Sequence, residues 1–397
     1  MTTQFHDFPQ KPSLACLFAA TLEMAMPCAH AAPLSFDSVN LVTDDQTANA
    51  AAITDPLLKN AWGVSASATS PFWVSANGSG AATLYSVDPV SNATSQLGLV
   101  VAIPGAGNPT GQVFNPGADF NADRFLFVSE DGTVSGWRGA LGTTAEILVT
   151  GDPANNYKGA AFATLGSNSY LYAANFGTGN IDVFKGNPGA PALAGTFTDP
   201  NLPSGFAPFN IANLGGTLYV TYAKPDGSGD DLAGPGNGFV DAFDLNGNFL
   251  GRVGSQGTLN SPWGLALAPS SFDELAGDLL VGNFGDGTIN VFDPTSDTFL
   301  GQLSSTGGGA LQIDGLWALT VGNNASAGSS DKVYFTAGPD GEAHGLFGVL
   351  NAQPGSGLFQ PGSNTVPEPG TLALLAAGLL AALVVLRRGR LVAASRG

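Results

Sequence analysis

The sequence predicts an all-β protein: a six-bladed β-propeller closed by an N-terminal strand, followed by one C-terminal transmembrane helix. Three observations predict it. The ten residues Asn175-Phe176-Gly177-Thr178-Gly179-Asn180-Ile181-Asp182-Val183-Phe184 recur as Asn283-Phe284-Gly285-Asp286-Gly287-Thr288-Ile289-Asn290-Val291-Phe292, identical at seven positions. Each copy leaves an apolar run, crosses a Gly-rich turn and enters a period-two alternation, which is the pattern of a β-hairpin. Weaker echoes, Phe72-Trp73-Val74 into Leu84-Tyr85 and Phe125-Leu126-Phe127-Val128 into Val134, fall at spacings of roughly 45 to 60 residues, the range of propeller blades. Glycine, 55 of 397 residues, is about twice its average usage and has no collagen-like period, which suits many short strands joined by tight turns.

In chain order, residues 1–31 read as a secretory signal. Lys11 precedes a mostly apolar run over residues 14–26, and the small residues Ala29 and Ala31 mark the cleavage site. The alternative is a buried first helix, and Glu23 inside the run argues for it. Both cysteines, Cys16 and Cys28, leave with the signal, so the mature chain has no thiolate for a disulfide, a metal or a nucleophile.

The propeller is expected over residues 34–352. Innermost strands begin near Trp62, Thr110, Gly159, Phe209, Trp263 and Leu316, one per blade. The sixth blade has only three strands after Leu316. Residues 36–42, at the other end of the mature chain, supply the fourth and close the ring, since an unclosed ring would leave sheet edges open. Blade four carries an insertion after Ala223. Its Asn246-Gly247 pair predicts a type I′ hairpin turn.

Four antiparallel strands alternate in direction, so the loops between second and third strands share a face with the crossovers between blades. That face collects the acidic and amide side chains of Asp44, Glu130, Asp286 and Asn260, together with Lys158. The candidate ligand or metal residues there are Asn60, Asp226, Asp230, Asp231, Asp314, Glu342 and His344, above a central channel.

Residues 353–365, rich in Gly, Pro, Ser and Asn, read as a linker. Pro367-Glu368-Pro369 then precedes an uncharged span over residues 371–386 and the basic end Arg387, Arg388 and Arg390. This tail, residues 366–390, resembles the PEP-CTERM sorting signal of Gram-negative bacteria. The resemblance implies export through the secretion machinery, recognition by an exosortase and delivery to the cell envelope or extracellular matrix. Sixteen residues at about 1.5 Å each give roughly 24 Å, short of a ~30 Å hydrocarbon core but close to it with flanking residues. The arginines belong on the cytoplasmic side. A plain single-span anchor without processing is the alternative.

The stretches Asn60-Ala61-Trp62-Gly63, Pro71-Phe72-Trp73-Val74, Asp231 to Asp241, Asp314-Gly315-Leu316-Trp317 and His344-Gly345-Leu346-Phe347-Gly348 resemble a conserved hypothetical family of exported bacterial propellers of NHL-like or TolB-like form. The resemblance implies a fold and no catalytic residues. Ala61 stands where that family has proline.

Of 13 basic residues, Lys11 and four arginines lie in the ends; of 31 acidic ones, Asp7, Glu23 and Glu368 do. The body keeps eight and 28, a net charge of about −20. Such a surface repels nucleic acid and anionic lipid and favours cationic groups. No Gly-x-Ser-x-Gly elbow is present, and His344 is the only histidine of the mature body, with Glu342 two residues before it as a candidate orienting carboxylate. Thiolates are lacking, so any metal would be oxygen-liganded. Calcium is the candidate cofactor, with the loop from Asp226 to Asp231 as its densest carboxylate source.

Three function classes therefore stand, a purely structural matrix component among them. One is a binding or scaffold module, whose partner is an extracellular polysaccharide or a surface protein. Another is a calcium-dependent hydrolase or lactonase, by analogy with gluconolactonase-like propellers.

Overall fold

A computed structural model describes residues 33–361. The signal, the sorting motif and the apolar span of residues 371–386 lie outside the described residues, among which no helix is long and apolar enough to cross a membrane.

Six sheets follow one another along the chain, each beginning at an inner strand: Ala61–Ser65, Pro109–Phe114, Tyr157–Leu165, Ala207–Leu214, Pro262–Leu267 and Leu316–Val321. These are the six blades expected. Second strands such as Phe72–Ala76, Phe125–Ser129, Leu279–Asn283 and Val333–Ala337 are buried at every position. Each lies between the neighbouring blades, so both of its faces are covered and it reads as an apolar run rather than an alternation.

Ring closure is as the sequence implies. Leu34–Thr43 pairs antiparallel with Leu346–Pro354, from Leu34 opposite Pro354 to Thr43 opposite Leu346, with one bulge after Asn40. Phe36 is fully buried and meets Phe272 at 4.8 Å between ring centroids, which ties the closing strand to blade five as well. A short strand, Ile53–Thr54, continues the sheet in parallel.

Three local features differ from the sequence reading. The outer strand of blade one is split into Thr94–Gln96 and Val101–Ala102, both paired with Ala81–Val87. Blade three has only three strands, Tyr157–Leu165, Asn168–Asn175 and Asn180–Lys185. The segment that would form its fourth instead bonds the turn of blade four, through Gly195 N to Asn246 O and Phe197 N to Gly247 O, and wedges Phe197 against Tyr172 and Phe243. That turn is not type I′. Gly247 has φ +87° while Asn246 stays at negative φ, and Asp244 Oδ1 accepts from the backbone N–H of both Asn246 and Asn248. A carboxylate at the first position favours this one-residue left-handed turn over one that needs two.

Part of the stretch that composition reads as linker is built onto the body. Gln302 and Phe359 exchange two backbone hydrogen bonds, and Leu358 packs on the core between blades five and six.

Candidate functional site

The repeat explains how the loop face is built. Asn175 and Asn283 each end a second strand, and their amides clamp the following turn onto the preceding crossover. Asn175 Oδ1 accepts from Asn156 N and Thr178 N; Asn283 Oδ1 accepts from Asn260 N, while its Nδ2 donates to Asp286 Oδ1. Gly179 and Gly287, at φ +78° and +71°, complete turns that a side chain would strain. The phenylalanine after each asparagine enters the ring centre.

There, Phe176 and Phe284 join Trp62, Phe209, Trp263 and Trp317 in one buried aromatic cluster. Trp317 is sandwiched between Trp62 at 3.7 Å and Phe284 at 3.9 Å, both stacked. Trp263 stands edge-on to both tryptophans. This cluster plugs the channel beneath the loop face.

Six polar side chains run across that plug in a single chain. Asn60 Nδ2 donates to Glu342 Oε2 at 2.5 Å and to Asn77 Oδ1 at 3.3 Å; Asn77 Nδ2 donates to Glu130 Oε2 at 3.1 Å. The Lys158 ammonium donates to Glu130 Oε1 at 2.5 Å and to Asp230 Oδ1 at 3.1 Å. The plug holds this chain from below: Trp317 Nε1 donates to Asn60 Oδ1, Trp263 Nε1 to Lys158 O, and the ammonium lies 5.2 Å from the centre of the Trp62 ring. Burial works against the Lys158 charge, but the carboxylates of Glu130 and Asp230 outweigh it and hold its pKa above the ordinary lysine value. Glu342 shows the reverse balance. Burial, with the nearby charge of Glu130, pushes its carboxyl up to about 7, against the pull of Lys158.

The other predicted residues sit on the same face but not in this chain. Asp226 is exposed and folds back on its own turn, accepting from Ser228 N, Ser228 Oγ and Asp230 N. Asp231 keeps one buried oxygen without a partner, and burial raises its pKa. Asp314 accepts from the backbone N–H of Asp340. His344 is oriented by a carboxylate, but by Asp44 rather than Glu342: Nδ1 lies 3.1 Å from Asp44 Oδ2, and Gly345 N donates to the same carboxylate. Asp44 follows the closing strand, 300 residues away in sequence, so adjacency along the chain pointed to the wrong partner.

Two of the carboxylates suggested for calcium already have partners. Asp226 is committed to its turn and Asp230 to an ammonium. Among the described residues no three of His, Cys, Asp and Glu come together closely enough to hold a metal ion. Lys158 occupies the position between carboxylates that a cation would need.

Sequence reasoning placed no site at the opposite channel mouth. There, a concavity of about 540 Å³ is lined from all six blades by residues such as Val64, Gln112, Phe162, Asn213, Leu267 and Thr320, with no titratable side chain among its lining residues. Gly63 and Gly111 let adjacent inner strands approach closely here, since a Cβ at either would meet the backbone of the next blade. The alternation of small residues with bulky ones on the inner strands was the available signal.

Comparison with known proteins places the chain. It is 32% identical over 333 residues to one protein of Acanthamoeba polyphaga mimivirus, covering 79% of each chain, and 33% identical over 322 residues to a second, covering 76% of this chain and 82% of that one; both are described as uncharacterized. The chain belongs to their family. Its residues 365–389 match the PEP-CTERM protein-sorting motif. Among solved structures, a streptogramin B lyase is 12% identical, with a TM-score of 0.44, over 81% of this chain and 98% of that one. The family member described here is an exported propeller protein, and its sorting motif implies exosortase processing.

Proposed function

We propose that this protein is a binding or scaffold module of the cell envelope or extracellular matrix, delivered there by an exosortase and presenting its polar loop face to an extracellular polysaccharide. The observation that carries this reading is the chain from Glu342 through Asn60, Asn77, Glu130 and Lys158 to Asp230. Its charges and amides are spent on one another and locked by tryptophan N–H groups, which gives a rigid rim rather than a set of groups converging on one reacting atom. Exposed carboxylates beside this rim, Asp226 and Asp230 among them, accept hydrogen bonds from neutral hydroxyls, while the net negative body discourages anionic partners. The sorting motif supports the envelope address.

A glycan array probed with the purified protein, run beside a screen of lactones and phosphoesters, tests the reading. Selective glycan capture with no turnover is the expected result, and turnover of any lactone or phosphoester would reject it.

A further inference from the structure

We infer that, while the sorting tail still holds the protein in the membrane, the propeller is fixed with the loops between its first and second strands toward the bilayer and its polar loop face away from it. The inference rests on the sorting reading and adds an orientation to it. Both described ends of the chain leave from one place. Gly355 N donates to Pro33 O at 2.7 Å, and Pro33, Leu34, Gly357 and Leu358 share a cleft with Phe272 and Leu275. Phe272 and Leu275 belong to the short 3-10 helix Ser270–Leu275, which joins the first and second strands of blade five. Strand parity puts that loop on the side opposite Glu342, Lys158 and Asp230.

The exit is held firmly and the tether beyond it is short. Besides its two bonds to Gln302, the terminal segment is fixed by Gln360 Nε2 donating to Leu300 O at 2.6 Å. The description ends at residue 361, the sorting motif begins at 365, and the apolar span is expected from 371. Ten residues reach roughly 35 Å even when fully extended. Inner strands of up to nine residues span about 30 Å, so a ring leashed at this rim turns its far face to the membrane only with the tether stretched almost to its limit.

The near side also suits a lipid surface. Of the large apolar side chains left exposed there, Val90 lies in a third-to-fourth strand loop, Leu250 and Phe299 start outer strands after such loops, and Val321 ends an inner strand at the open channel mouth. Such loops share the face of the first-to-second strand loops. The opposite face exposes Leu57 and Leu232, and carboxylates stand on both faces, Asp88, Asp244, Asp273 and Asp293 on the near one, so the exit point of the chain rather than charge sets the orientation.

Energy transfer to a lipid-borne acceptor tests this. The full chain, with Cys16 and Cys28 replaced by alanine, would be exported in a host lacking an exosortase, so that the tail is retained. Single cysteines would be placed at exposed alanines on the near face (Ala68→Cys and Ala276→Cys) and on the far face (Ala233→Cys and Ala343→Cys). Labelled membranes would then be doped with rhodamine-headgroup lipid. Both near-face labels should show several-fold more transfer than both far-face labels, and a long Gly-Ser insertion after Ser363 should erase the difference. Membrane-bound protein with equal or reversed transfer would overturn the orientation and leave the anchor standing. Protein that does not float with the membranes would overturn the anchor and the orientation together.

Discussion

Lys158 Nζ lies 2.5 Å from Glu130 Oε1 in a side chain only 1% exposed, and it is the cation around which the loop face is assembled. Glu130 comes from blade two, Lys158 from blade three and Asp230 from the insertion of blade four. One ammonium thereby joins three blades. Removing it leaves carboxylates facing one another over an aromatic floor.

Lys158→Met is therefore expected to destabilise the protein. Breaking a fully buried ion pair costs 3–5 kcal/mol; here Asp230 and Glu130 reach water, so about 2 kcal/mol is expected. Chemical denaturation at neutral pH measures it. A loss below about 0.5 kcal/mol, the scale of an ordinary surface pair, would show that the face is not organised around this residue.

Glu342 makes the face sensitive to pH. Its folded pKa, about 7, lies above that of an unfolded glutamate, so the folded state holds the proton more tightly. The stability this contributes is complete below the unfolded value of about 4.3 and is lost as pH rises through about 7. Asp241, about 7, and Asp123, about 6, are both raised chiefly by burial and act with the same sign, so only a variant isolates the glutamate. Glu342→Gln should melt like the parent at about pH 5 and at a higher temperature near pH 8. Equal melting temperatures at both pH values would contradict the assignment.

Calcium should stabilise the protein no more than sodium chloride of equal ionic strength does, because the carboxylates that could bind it are already committed to Lys158 and to backbone N–H groups. Thermal melts in the two salts decide this. A calcium-specific rise that Asp230→Asn removes would restore the metal reading.

The closing strand should behave as core. Phe36→Ala, at a fully buried position against Phe272, should cost about 3 kcal/mol, and deletion of residues 34–43 should cost far more by opening the ring. Differential scanning calorimetry reads both. An unchanged melting temperature for the deletion would mean that the ring closes without it.

Blade number, the six inner strands and the closing strand were all legible because each depends on local period and on the need to cover edges. Asn175 and Asn283 were visible as a repeat, but their role as clamps was not, since each bonds a crossover that precedes it by many residues. The Asp44–His344 pair was illegible for a related reason: ring closure brings together residues from the two ends of the body, and spacing carries no trace of it. The same holds for Lys158. Its place on the face followed from parity, whereas its contact with Asp230 depends on how the insertion of blade four folds back across blade three. The missing fourth strand of blade three had no sequence sign beyond the proline and glycine content of residues 187–205.

On the proposed function, the loop face binds without transforming what it binds. Titration calorimetry of the purified protein against extracellular matrix polysaccharide, with mass analysis of the carbohydrate before and after, tests it most directly. Saturable binding, weakened several-fold by Asp230→Ala, and polysaccharide of unchanged mass are expected. Shortened or chemically altered polysaccharide, at a rate that falls in Glu342→Gln, would contradict it.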